Sequence, residues 1–347
     1  MVSLGRPERR LPLRGKGRTR RVMVAPVLSI RGLTTVFDLE AGPAVAVDGA
    51  DLDLIPGETL ALVGESGSGK TMVALSILGL VPEPGRVAEG SIRFRERELT
   101  TLDPEARRLL RGRHLAMVFQ EPMTALNPVF TVGEQIAEPV RLHLGLSPRQ
   151  AMARAVELLA EVGIPNPERR AKSYPHELSG GMRQRVVIAM ALSCDPEVLL
   201  ADEPTTALDV TIQAEILDLL DRLKAGRGMS VLLVTHDLGV VAGSAARAAV
   251  MYAGRIVERA SVADVFAAPE HPYTQGLLAS LPRLDAGRRA RLTPIPGTTP
   301  DISALPSGCH FHPRCPHVFD RCRVEIPPAF GERGTRCWLR ADGGGRP

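Results

Sequence analysis

A strand-like apolar run, Thr59-Leu-Ala-Leu-Val63, leads directly into Gly64-Glu65-Ser66-Gly67-Ser68-Gly69-Lys70-Thr71 and then into the helical spacing of Met72, Val73, Leu75, Ile77 and Leu78. No other stretch narrows the fold so far. The form G-x-x-x-x-G-K-T between strand and helix is a phosphate-cradling loop. Gly64, Gly67 and Gly69 let successive backbone N–H groups curl around the β- and γ-phosphates of a nucleotide, and a helix starting at Lys70 aims its positive end at them. Lys70 would neutralise the phosphates, and the Thr71 hydroxyl would ligate Mg2+. Lysine occurs only at 16, 70, 172 and 224, in a chain whose other cations are arginine. Its use at 70 fits the need for a compact point charge.

The rest of the chain supplies an α/β framework for that loop. Residues 27–63 alternate apolar and polar positions, broken by Gly and Asp, and predict several short strands. Residues 87–99 predict a strand pair, and Leu115–Phe119 a buried strand leading to Gln120. Prolines then punctuate helices over 121–178, the pattern of a helical insertion. A helix over 181–193 follows. Val198–Asp202 and Ser230–Thr235 read as buried strands of a parallel sheet, separated by an amphipathic stretch from Ile212 to Leu223. After Glu258 proline becomes frequent, and four of the five cysteines fall at 309, 315, 322 and 337. The expected division is a basic extension over 1–25, a nucleotide-binding domain over 26–260 with its helical part at about 121–179, and a separate module over 261–347. No internal repeat is evident, so one nucleotide-binding domain is expected.

The chain has 347 residues and a net charge of +4, but residues 1–22 alone carry +7, leaving the remainder at −3. The basic character therefore belongs to a tail, and the folded part offers no general nucleic-acid surface. The tail has no apolar core of the kind a secretory signal needs. It reads as a disordered extension, or as upstream sequence if Met23 is the start, with contact to nucleic acid or lipid as the alternative use. No apolar run reaches the roughly 18–20 residues that span a bilayer, so any membrane role is expected to be peripheral.

Further residues carry chemistry. Asp202 and Glu203 end a buried strand, and because successive strand residues face opposite ways they can serve different centres. Asp202 would hold Mg2+ through water, and Glu203 would orient or deprotonate the attacking water. Leu178-Ser179-Gly180-Gly181-Met182-Arg183-Gln184-Arg185 places a hydroxyl and open backbone amides before a helix, a second anion-binding arrangement. Taken with the phosphate loop, this Leu-Ser-Gly-Gly-x-x-x-Arg string resembles the signature of the ABC ATPases. Pro204-Thr205-Thr206-Ala207-Leu208-Asp209 resembles their D-loop, Gln120 the Q-loop residue that contacts Mg2+ and water, and His236 the switch histidine that contacts the γ-phosphate. The resemblance implies a RecA-like P-loop NTPase core with an antiparallel β subdomain and a helical subdomain. It also implies that Ser179, Gly180, Gly181 and Asp209 serve an ATP held by the opposite subunit of a head-to-tail pair. An aromatic that stacks on adenine is expected upstream of the phosphate loop. Phe37 is the only aromatic residue before Gly64 and is the candidate, with core packing as its other reading.

Glu121-Pro-Met-Thr-Ala-Leu-Asn-Pro-Val-Phe-Thr-Val-Gly-Glu-Gln135, His271-Pro-Tyr-Thr-Gln-Gly-Leu-Leu278, Pro294-Ile-Pro-Gly-Thr and Gly308-Cys-His-Phe-His-Pro-Arg-Cys-Pro316 narrow the likeness to dipeptide and oligopeptide importer ATPases, over about residues 26–340. That family implies two permease subunits, a second and usually sister ATPase, and an extracytoplasmic solute-binding protein, with this chain at the cytoplasmic face of the membrane. Peptide import leads; nickel or other small-solute uptake uses similar ATPases, and a soluble ABC ATPase outside transport is the remote alternative. The four terminal cysteines run C-x5-C-x6-C-x14-C, which in a reducing cytosol argues against disulfides. Four thiolates suit a [4Fe-4S] cluster, carried by some relatives, or tetrahedral zinc, or they stay unligated. Cys194 is expected in the core.

Overall fold

A computed structural model describes residues 24–206, 208–281 and 294–341. Nearly all of the expected basic extension lies outside the described residues. The first two strands are long: β1 spans Leu28–Leu39 and β2 spans Gly42–Leu54. They correct the expectation of several short strands, and the register explains the difference. Irregularities between Ile30 and Leu33 and again between Thr35 and Val36 interrupt the alternation while the antiparallel pairing continues. β3 (Thr59–Val63) leads to the phosphate loop, β4 (Gly85–Phe94) and β5 (Arg97–Glu98) follow, and the first sheet has the order β2-β1-β4-β5.

The second sheet adds β6 (Leu115–Val118), β7 (Val198–Asp202), β8 (Ser230–Thr235), β9 (Arg247–Tyr252) and β10 (Arg255–Ser261) in the order β10-β9-β3-β8-β7-β6. β9, β3, β8, β7 and β6 run parallel, and only β10 is antiparallel. The loops after β3, β6, β7 and β8 therefore open at one edge, where ligands bind in open α/β sheets.

Period-two alternation divides the core between the sheet's two faces. Leu115, Met117, Val198, Leu200, Leu232 and Val234 pack with Leu28, Ile30 and Leu52 of the antiparallel sheet and with Val73 and Ile77 of the helix Lys70–Leu78. Ala116, Val118, Leu199, Ala201, Val231 and Leu233 face the other way. They share a cluster with Ile136 and Val140 of the helix Val132–Leu144, Leu158 and Leu159 of Pro148–Glu161, and Val187 and Ile188 of Gly180–Ala191. The helical insertion thus has no core of its own and stays continuous with the nucleotide-binding sheet. Cys194 is fully buried.

Regular structure runs on past the expected boundary at 260. Helices Val262–Ala267 and Pro272–Ala279 follow β10. Val262 and Val265 share a cluster with Ala61, Val63 and Leu238, while Tyr273 and Phe311 pack on Val250 and Tyr252. Buried Glu258 of β10 accepts the backbone N–H groups of Glu270 and His271 at 2.8 and 2.9 Å. The C-terminal stretch is thereby joined to the sheet by both core packing and a buried carboxylate.

Candidate functional site

The phosphate loop takes its shape from backbone that only glycine tolerates. Gly69 has φ +101°, and a Cβ there would lie 2.3 Å from the Ala46 carbonyl oxygen; a Cβ on Gly64 would lie 2.1 Å from that of Met251. No side chain caps the helix that begins at Lys70, so its first N–H groups face the loop. Lys70 is buried, and its ammonium donates to the carbonyls of Gly64 and Glu65 at 2.8 and 2.9 Å and to Ser68 Oγ at 3.3 Å. Burial lowers the Lys70 pKa, and the carboxylates of Glu203, Asp202 and Glu65 oppose that shift. The Thr71 hydroxyl donates to Asp202 Oδ1 at 3.2 Å. This hydroxyl–carboxylate pair beside a phosphate loop is a donor set that would hold Mg2+ in a nucleotide site.

Residues from three strand ends meet on one carboxylate. Glu203 Oε2 accepts from Thr206 Oγ1 at 2.8 Å and from Gln120 Nε2 at 3.2 Å, while Oε1 lies 3.1 Å from His236 Nδ1. Glu203 itself adopts φ +46°, a left-handed conformation that a non-glycine residue holds at a cost of about 1–3 kcal/mol. Burial would raise its pKa, but hydrogen bonds from Thr206 and His236, together with the charge on Lys70, carry it below the usual carboxylate value. Asp202 goes the opposite way, raised by burial and by its charged neighbour Glu203 despite the Thr71 hydrogen bond. Glu203 is thus an ionised, oriented carboxylate able to position or deprotonate water.

Ser66, Gly67, Gly69, Lys70, Thr71, Gln120 and Glu203 line one cleft together with Phe37, Ala46, Met72 and Ile302. Phe37, half-buried at the end of β1, therefore reaches the cleft. Ile302 is a residue that sequence reasoning missed; no local pattern connects a proline-rich C-terminal segment with a phosphate loop more than two hundred residues earlier.

Ser179, Gly180, Gly181 and Asp209 do not line that cleft. Ser179 caps the helix Gly180–Ala191, its Oγ accepting the Met182 N–H at 3.4 Å, and Asp209 caps Val210–Arg227 by accepting the Ile212 N–H at 2.9 Å. Ser179, Gly180 and Asp209 are exposed, and Val210 beside Asp209 is 84% exposed. The two caps are neighbours, since a Cβ on Gly181 would come within 3.0 Å of Ile212.

Cys309, Cys315, Cys322 and Cys337 line a single cavity with His312, His317 and Trp338. None is in a disulfide. Burial pushes the Cys309 thiol up to about 11 and the Cys337 thiol up to about 12, and the neighbouring thiols add to both shifts. The donor set is right in kind for a cluster or zinc. Among the described residues, however, no three His, Cys, Asp or Glu stand in an arrangement that holds a metal ion.

Comparison with known proteins matches these features. The family profile "ABC transporter" covers residues 47–206, and "Oligopeptide/dipeptide transporter, C-terminal region" covers 257–322. A putative peptide import ATP-binding protein of Brucella melitensis is 55% identical over 326 residues, covering 90% of this chain and 96% of that protein. The chain belongs to the oligopeptide/dipeptide-transporter family of ABC ATP-binding proteins. The oligopeptide transport ATP-binding protein AppD of Bacillus subtilis is 49% identical over 325 residues, covering 92% of this chain and 99% of that protein. Among solved structures, the dimeric, post-hydrolysis ATP-binding cassette MJ0796 bound to ADP and Pi matches with TM-score 0.62 and 28% identity, over 68% of this chain and 98% of that one. The protein is an ABC-type ATPase. Among the described residues no helix is long and apolar enough to cross a membrane.

Proposed function

We propose that this chain is the ATP-hydrolysing subunit of an importer for dipeptides or oligopeptides, working in a head-to-tail pair with a second ATPase subunit. Phe37 packs against the base of the nucleotide, the loop from Gly64 to Thr71 wraps the phosphates, and Lys70 neutralises them. Thr71, Asp202 and Gln120 would hold Mg2+, which would supply neutralisation of the charge that develops on the phosphates. Glu203 orients and deprotonates water while His236 faces the γ-phosphate. Ser179, Gly180, Gly181 and Asp209 close over the nucleotide of the other subunit. The observation that carries this reading is the Glu203 carboxylate held by Gln120, Thr206 and His236 at the mouth of the Lys70 cleft.

The remaining partners are two permease subunits and an extracytoplasmic binding protein, with the chain bound peripherally at the cytoplasmic face. Near-full-length identity to peptide import and oligopeptide transport ATP-binding proteins supports this assembly. The test is uptake of labelled dipeptides, longer peptides and nickel by cells lacking the gene and complemented with wild type or Glu203→Gln. Peptide uptake restored only by wild type is expected. Unchanged peptide uptake with loss of nickel uptake would move the substrate to the metal.

The four C-terminal thiols are the proposed ligands of a [4Fe-4S] cluster, with Zn2+ as the alternative occupant, supported by their convergence on one cavity. Held there, such a group would tie Cys309 and Cys315 to Cys322 of the helix Asp320–Val324 and to Cys337. Anaerobic purification should yield iron and sulfide in equal amounts; protein with intact cysteines and neither iron nor zinc would overturn the assignment.

A further inference from the structure

The second residue of the phosphate loop is held from the far end of the chain. Both Glu65 carboxylate oxygens pair with Arg314, Oε2 to Nη1 at 2.6 Å and Oε1 to Nη2 at 3.0 Å, and Thr299 Oγ1 donates to Oε2 at 3.0 Å. The Glu65 backbone N–H donates to Tyr273 Oη at 2.8 Å, and its carbonyl accepts from Lys70. Arg314 is itself over-determined. Its side chain is 5% exposed, its Nε donates to the Pro296 carbonyl at 2.9 Å, and its guanidinium lies over the Tyr252 ring at 5.7 Å. Every donor and acceptor of Glu65 is therefore engaged: its carbonyl by Lys70 and by the Ser68 N–H of the loop, its carboxylate and its N–H by the C-terminal region.

Two physical consequences follow. A bidentate fork fixes a carboxylate in orientation as well as position, so the backbone between Gly64 and Ser66 cannot rotate without breaking it. The pair also cancels a negative charge that would otherwise stand beside a bound triphosphate; burial alone pushes the Glu65 pKa up, but Arg314 and then Thr299 hold it below the usual carboxylate value.

We propose that Arg314 is a positioning residue for ATP binding, a strut from the C-terminal region that fixes and neutralises Glu65 so that the phosphate loop stands ready for the triphosphate. The strut leaves the hydrolytic carboxylate Glu203 untouched. Because Arg314 lies between Cys309 and Cys315, the strut is rooted in the wall of the cysteine-lined cavity.

The test is equilibrium binding of ATP to the full chain, measured by competition against a fluorescent ATP analogue, alongside kcat and KM. Lys70→Ala, which should abolish binding, shows that the probe occupies this site, and wild type that failed to bind would count against the site itself. Arg314→Gln should weaken ATP binding about tenfold while kcat at saturating ATP stays within about twofold. Glu65→Gln added to Arg314→Gln should recover affinity to within about threefold of wild type, because the uncompensated charge is gone. A scaffolding role would not be rescued by removing the partner's charge. Unchanged affinity in Arg314→Gln, or a double variant as weak as the single or weaker, would overturn the proposal. If Arg314→Gln loses its thermal unfolding transition, Arg314→Lys decides. It keeps the charge and loses the fork, so roughly threefold weaker binding supports the strut and wild-type binding refutes it.

Discussion

Glu203→Gln separates chemistry from folding in this protein, and the geometry sets both magnitudes. The amide keeps the carboxylate's shape but accepts at one oxygen only. With that oxygen at the Oε2 position it retains Thr206 and Gln120, and its NH2 meets His236 Nδ1, which accepts if the ring proton sits on Nε2. At most one hydrogen bond is at risk, about 1 kcal/mol of stability. Loss of a general base lowers the rate about 10²- to 10⁴-fold, equivalent to about 3–5.5 kcal/mol in the barrier. Phosphate release by the purified full chain at saturating MgATP should fall by that factor, while the melting temperature moves by only a few degrees and ATP accumulates on a dimer seen by light scattering. Turnover within a few-fold of wild type would refute the assignment of Glu203 as base. Acid dependence gives a second check. The Glu203 pKa is depressed in the fold, so its contribution to stability is present above the ordinary carboxylate value and lost as pH falls through the folded one. The Gln variant should lack that component.

Other positions give independent tests. Gly69→Ala forces a Cβ to within 2.3 Å of the Ala46 carbonyl at φ +101°; strain of about 1–3 kcal/mol should lower the melting temperature and calorimetry should register the loss of ATP affinity, and intact affinity would show that the loop is more pliant than drawn. His271 is fully buried, and burial drives its pKa to about 3. It stays neutral in the fold while the unfolded chain takes up a proton below about 6.5, so stability drains away as pH falls from 6.5 towards 3, by about 2 kcal/mol at pH 5. His271→Asn retains an acceptor for the Tyr273 N–H and should melt with a flatter pH dependence; parallel curves would refute the burial argument. Ile302→Ala removes apolar surface from the nucleotide cleft and should raise KM for ATP about fivefold with kcat unchanged, as expected for loss of about 1 kcal/mol of uniform binding.

What could be read in advance follows from range. The phosphate loop and the runs 198–202 and 230–235 were legible because each is a local pattern whose cause, a strand–turn–helix unit or a doubly covered strand, lies within a dozen residues. Gln120 and His236 carry no local signal; they gain meaning from the order of motifs, and only the folded sheet brings them onto Glu203. β1 and β2 look like several short strands in sequence because bulges shift the register without ending the pairing. Ile302, Thr299 and Arg314 were invisible as site residues. Their partners stand 234 and 249 positions away for Thr299 and Arg314, and a proline-rich segment has no periodicity to suggest a destination.

The gathering of Gln120, Thr206 and His236 on one carboxylate has a mechanical meaning. Gln120 and His236 follow β6 and β8, while Glu203 and Thr206 both follow the strand between them, β7, so the Gln120 hydrogen bond and the His236 contact encode the slide of the two outer strands against β7. At 3.2 and 3.1 Å, these two contacts have only a few tenths of an ångström before they weaken sharply. The sheet edge then behaves as a caliper whose jaws close on Glu203. A push delivered to the helical insertion through the Gln120 end would be registered as misalignment of the attacking water, and a sheet at rest would hold the water in line.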